Sequence, residues 1–261
     1  MRRLLAGVAA LALIGLPGCG SDSPPWAGAP PTDPDALAAK LTAADRAWRA
    51  GAASWTQGSE IPGGEAPGKL TRPGTFVERA VNLLSQQPDL AAATIPRLSN
   101  RLALQTRELT AALRDLHRLS AGWGGGGVET AMPAPLDELV SSYREGERRF
   151  SVDRNVLAAI NLVESSFGRA RSASVAGAQG PMQFIPSTWH RYGLGGNIYD
   201  PHDAVIGAAN YLSSSGAPAS YGRALYAYNN SILYVNAVQR YARLLGRDRQ
   251  ALYLFYSWPH P

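Results

Sequence analysis

Residues 153–167 read Asp153-Arg154-Asn155-Val156-Leu157-Ala158-Ala159-Ile160-Asn161-Leu162-Val163-Glu164-Ser165-Ser166-Phe167. The run predicts one helix, with Asp153 able to cap its first turn. Leu157, Ile160 and Glu164 fall at i, i+3 and i+7, so the carboxylate shares the face that enters a core. A carboxylate there is costly unless it is neutralised or hydrogen-bonded. Desolvation raises a carboxyl pKa, which lets a glutamic acid stay protonated near neutral pH and donate a proton. A helix-end glutamate whose head escapes to solvent is the plain alternative.

The pattern outside this helix is also helical. Leu136, Leu139, Val140, Tyr143 and Phe150 mark an amphipathic helix before it. A glycine-rich loop after it reaches Pro186, followed by a short helix through Trp189. Asp200-Pro201-His202-Asp203 has a cap, a proline at the first helical position and an acid in the first turn, predicting a helix to Leu212. Two more are expected over 220–228 and 231–245. Strand-like alternation is nearly absent, so the fold class is all-α.

Three blocks carry the chemistry. The first is Glu164-Ser165-Ser166-Phe167-Gly168. The second runs from Ser174-Val175-Ala176-Gly177-Ala178-Gln179-Gly180 through Pro181-Met182-Gln183-Phe184-Ile185-Pro186-Ser187. The third is Tyr228-Asn229-Asn230-Ser231 with Tyr234. Together, and in this order, they resemble the lytic transglycosylases of the lysozyme-like superfamily, most closely the membrane-bound B-type branch. The resemblance covers about residues 131–245.

It implies a lysozyme-like helical domain that cleaves the β-1,4 bond between N-acetylmuramic acid and N-acetylglucosamine without water, leaving 1,6-anhydro ends. Carried over by motif, Glu164 is the acid and then the base. Ser174 matches a serine that bonds the catalytic carboxyl or the sugar N-acetyl group. Gln183 matches a glutamine lining the saccharide groove, and Tyr228 and Asn229 match a pair facing the cleaved bond. Structural capping is the alternative for Gln183 and Asn229, while Met182, Phe184 and Trp189 read as core. No cofactor is implied. Some relatives carry a calcium loop before the Asp-Pro segment, but Tyr192 to Asp200 lacks its alternating carboxylates, and the four histidines lack zinc spacing, so no metal is expected.

The N-terminal half has a different character. Arg2 and Arg3 precede an uncharged apolar run, Leu4 to Leu16, which suits a secretory leader and is short for a membrane span. Leu16-Pro17-Gly18-Cys19 resembles a lipoprotein processing site, with Cys19, the sole cysteine, as the acylated residue. These features predict a signal peptide over 1–18, a flexible tether over 19–34, a helical region of unassigned role over 35–121, a glycine-rich linker over 122–130 and the catalytic domain over 131–261. Within the second region, residues 51–74 carry many breakers and are expected to be a loop. Leu102, Leu109, Leu113 and Leu116 share one packing face. A chain starting near Met132 is expected to fold and work alone.

The sequence has 25 Lys+Arg against 20 Asp+Glu, a net charge of +5 that falls to about +3 without the leader. The basic residues are dispersed, without the dense stripe of a nucleic-acid binder. The expected partners are peptidoglycan glycan strands and, through the lipid anchor, a membrane on the wall side of an exporting cell. A muramidase that uses water on the same fold, and a wall-binding lipoprotein without activity, remain as rival readings.

Overall fold

A computed structural model describes residues 23–56, 66–121, 129–174 and 176–258. The leader, Cys19 and most of the glycine-rich linker therefore lie outside the described residues. Helices are α1 (Pro34–Trp55), α2 (Gly68–Gln86), α3 (Pro88–Thr94), α4 (Asn100–Ser120), α5 (Leu136–Phe150), α6 (Arg154–Ser165), α7 (Pro186–Tyr192), α8 (Pro201–Ser214), α9 (Tyr221–Tyr228), α10 (Ile232–Arg247) and α11 (Ala251–Tyr256). The protein is mostly helical, and among the described residues the only β pairing is two isolated bridges. No described helix is long and apolar enough to cross a membrane.

The helix starts follow the local chemistry. Asp153 accepts from Asn155 N, Asp200 from Asp203 N, Ser220 from Arg223 N and Ser231 from Leu233 N. Each satisfies an amide that the first helical turn leaves without a carbonyl partner. Pro186 and Pro201 sit at helix starts, where a missing N–H costs nothing.

Two local expectations need correction. The loop read over 51–74 is shorter, because α1 continues to Trp55 and α2 starts at Gly68, taking Pro73 and Gly74 inside it. Gly74 is a packing position: a Cβ on it would collide with Ser257 Oγ. The described part of the tether, residues 23–33, is turned and held in place. Trp26 packs against the core, and Lys40 Nζ donates to Ala27 O at 2.6 Å. A short C-terminal helix, α11, was not read from the sequence at all.

The core is continuous across the chain. Buried residues of α1, α2 and α4 (Leu41, Trp48, Leu84, Leu102, Leu109) belong to the same cluster as Leu157, Ile160, Tyr234 and Phe255. Helix α4 lies along α10, while α1 and α2 touch α11. Glu108 on α4 accepts from Arg240 at 3.2 Å and Arg243 at 3.0 Å on α10. Arg49 on α1 donates to Asp248 at 2.5 Å and Gln250 at 2.9 Å, beyond the end of α10. Trp55 stands 5.9 Å from Tyr253 and 6.2 Å from Tyr256. The segment read as the domain start is also tied inward, since Thr130 bridges Ala170 and Ala134 N donates to Phe167 O.

These contacts generate a prediction. A chain beginning at Met132 uncovers the faces of α10 and α11 that α1, α2 and α4 cover. Thermal melting followed by circular dichroism should show one cooperative transition for residues 23–258 and none for the shortened chain. A shortened chain that melts sharply would show that this interface is dispensable.

Candidate active site

Glu164 is the penultimate residue of α6 and is only partly exposed. Its Oε1 accepts a hydrogen bond from Tyr234 Oη at 2.6 Å, across from α10. Burial pushes the carboxyl up to about 7, and the Tyr234 bond opposes that rise without cancelling it. Neither a cation nor a second carboxylate contributes. The titratable groups facing Glu164 are Tyr234 and Tyr228, whose own hydroxyls burial pushes well above their ordinary value. Among the described residues no charged group contributes to the state of Glu164, whose carboxyl is held about half protonated near neutral pH.

The turn after α6 and the glycine-rich loop are pinned to the helix from below. Asn161 and Ser165, both buried, donate to Pro181 O at 2.9 and 2.6 Å. Tyr143 Oη donates to Asn161 Oδ1 at 2.6 Å and orients that amide. Tyr228 Oη donates to Met182 O at 2.7 Å. The loop also closes on itself: Gln179 and Phe184 exchange two backbone bonds of 2.9 Å each. Gly180 has φ +73, and a Cβ there would collide with Ile198 O, so the next loop lies directly on it.

An aromatic wall runs away from the carboxyl. Tyr228 lies parallel to Tyr234, 6.4 Å between centroids. Phe184 meets Tyr228 edge-on at 5.8 Å and Trp189 at 5.1 Å, and Tyr211 stacks on Tyr192 at 4.6 Å. Met182 and Phe184 are buried, which agrees with their reading as core.

The residues carried over by motif are placed as follows. Ser174 Oγ accepts from Ala178 N at 3.0 Å, so it shapes its own loop, while the carboxyl partner is Tyr234. Gln183, at φ +48, donates from Nε2 to Gly180 O at 3.0 Å. Asn229 caps α9 through its backbone N–H to Leu225 O, on the residue after Tyr228. Sequence reasoning quoted Tyr234 as the end of the third block but gave it no role. It also passed over Asn161 and Ser165, although two polar residues on an apolar helix were a visible signal.

Asp200, His202 and Asp203 bring donor atoms within 4.8 Å of one another. Those atoms are engaged within the fold. Asp200 Oδ1 accepts from Asp203 N, Asp203 Oδ2 accepts from Asn197 N, and His202 sits between Glu145 Oε2 at 3.0 Å and Asp203 Oδ1 at 3.2 Å. The bond with Glu145 raises the imidazole's pKa, partial burial opposes that rise, and the bond with Asp203 adds to it. The cluster ties α8 to α5.

The raised carboxyl fixes a stability prediction with a definite sign. A carboxyl held at about 7 in the folded chain, against 4.5 in the unfolded one, favours folding fully below 4.5. That advantage is lost as pH rises through 7. Glu164→Gln keeps an acceptor for Tyr234 but no titrating charge. Its melting temperature relative to wild type should therefore rise between pH 5 and pH 8.5. A difference that does not change with pH would show an ordinary, solvated carboxyl.

Residues 141–250 match the family model described as the transglycosylase SLT domain. Searches of curated proteins and of solved structures returned no match. The matched segment begins within α5, contains Glu164, the glycine-rich loop and the Tyr228–Tyr234 block, and ends before α11. Residues 141–250 are thus similar to the transglycosylase SLT domain, whose lysozyme-like helical fold agrees with the mostly helical structure, and the match supports a lytic transglycosylase acting on peptidoglycan.

Proposed function

We propose that this protein cleaves the N-acetylmuramic acid–β-1,4–N-acetylglucosamine bond by a non-hydrolytic route, on the pattern of the B-type branch. The observation that carries the reading is the desolvated Glu164 carboxyl held by Tyr234 at 2.6 Å, with no second carboxylate among the described residues contributing to its state. Hydrolysing glycosidases ordinarily use two carboxyls, one of them to activate water or attack the sugar. One carboxyl suffices if the nucleophile is within the substrate. Glu164 protonates the leaving glycosidic oxygen, and the acetamido group stabilises the charge growing at the anomeric carbon. The resulting carboxylate then takes the C6 hydroxyl proton as that oxygen closes the 1,6-anhydro ring, which returns the proton to Glu164.

The other residues position. Tyr234 holds Oε1, leaving the other carboxyl oxygen for the sugar. Tyr228 faces Glu164 from the end of α9, and Asn229 follows it in the chain. Ser174 and Gln183 shape the glycine-rich loop, whose exposed backbone groups can approach a saccharide closely.

Export and anchoring are part of the same proposal. The basic head, apolar run and Cys19 support a leader cleaved before an acylated cysteine, placing the enzyme against the wall. One acyl chain binds membranes only marginally, so stable anchoring requires more than one. Wild type should partition with membranes and carry a lipid mass, and Cys19→Ala should do neither. A released wild-type protein with residues 1–18 intact would remove the anchor.

The catalytic reading is tested by mass spectrometry of products from purified peptidoglycan. Wild type should release muropeptides with 1,6-anhydro ends, one water lighter than hydrolysis products. Glu164→Gln should fold and lose cleavage by ~10²–10⁴-fold, the usual worth of general acid–base assistance. Because the acid must be protonated, the wild-type rate should fall as pH rises through about 7. A reducing muramic-acid end as first product would make the protein a muramidase. Glycan binding without cleavage would make it a wall-binding module.

A further inference from the structure

Three consecutive residues after α6 have left-handed backbone: Ser166 at φ 49, Phe167 at φ 65 and Gly168 at φ 85. Only the third is a glycine. Residues with a Cβ resist this conformation, so the turn persists only where its surroundings hold it. It begins two residues after Glu164, and relaxing it frays the last turn of α6, which carries the carboxyl.

Several bonds hold it. Phe167 is fully buried and its N–H donates to Asn161 O at 3.1 Å, while Gly168 N donates to Ser165 Oγ at 2.8 Å. The remaining clamp is Arg169. One arm of its guanidinium donates to Ser166 O at 3.1 Å and the other to Tyr256 O at 2.7 Å, and the group stands 5.4 Å from the Tyr256 ring. Phe167 and Tyr256 also meet, 5.9 Å between centroids. Arg169 is largely withdrawn from water, and burial lowers its pKa while Glu78 of α2 opposes that effect. The Glu78 carboxyl lines a cavity of about 370 Å³ with Ser166, Tyr241 and Trp258 behind α6. Its Oε2 is buried without a hydrogen-bond partner among the described residues.

We propose that Arg169 is a positioning residue for Glu164, fastening the left-handed turn at the end of α6 to the C-terminal helix. Tyr256, and Glu78 on the far side, both lie outside the matched segment 141–250. Helix α11 therefore takes part in setting the catalytic carboxyl. The inference rests on Glu164 being the acid.

The test compares wild type with Arg169→Lys, which keeps a charge but loses the two-armed reach, and with Arg169→Gln, which keeps a planar donor without charge. Each is assayed for kcat, KM, melting temperature and the pH at which the rate falls. The expected result is a kcat lower by ~10–100-fold, the scale of a displacement of about 1 Å at a reacting group, with KM little changed. The alkaline fall should move to lower pH, because a frayed helix end lets water reach Glu164 and its carboxyl becomes a stronger acid. A purely structural arginine would lower the melting temperature and leave that pH unmoved, which overturns the proposal, as does wild-type kcat in both variants. Glu164→Gln is run alongside. If it still cleaves, the assignment of the acid has failed, whatever Arg169 does.

Discussion

A carboxyl group kept away from water yet held by one hydrogen bond is the constraint on which this structure turns. Burial alone would leave Glu164 neutral and loosely placed. A cation beside it would fix it as carboxylate and remove its proton. The Tyr234 hydroxyl at 2.6 Å does neither: it orients the group and moderates the rise to about 7. That balance leaves both protonation states accessible near neutral pH, as a residue that first gives and then takes a proton requires.

Such a balance needs stiff supports. The carboxyl rides on a helix whose same face carries Leu157 and Ile160, both fully buried. Its partner rides on α10, and α10 is gripped by α4 through Glu108 and by the N-terminal core. The glycine-rich loop hangs from α6 by Asn161 and Ser165 and from α9 by Tyr228. The N-terminal helices carry none of the catalytic motifs, yet they back the elements that do.

Much of this was legible in the sequence, for local reasons. Asp153, Asp200, Ser220 and Ser231 announce helix starts because each side chain reaches an amide only two or three residues away. The period of Leu157, Ile160 and Glu164 shows which way the acid points. What was not legible depends on contacts between distant parts of the chain. Gly74 looks like a helix breaker until Ser257 is found against it. The carboxyl's hydrogen-bond partner is Tyr234, seventy residues from Glu164 in the chain. The short α11 has no strong period, and its role emerges only where Tyr256 meets Arg169 and Phe167. The leader and acylated Cys19 expected from the sequence lie outside the described residues.

The central claim is that Glu164 stays a neutral acid into the neutral range because it is dry. Its titration is observable directly by ¹³C NMR of glutamate-labelled protein, with the resonance assigned as the one missing from Glu164→Gln. The account predicts a midpoint near about 7, and a higher one in Tyr234→Phe, which removes the bond that lowers it. A midpoint at the ordinary 4.5, unmoved by that substitution, would contradict it.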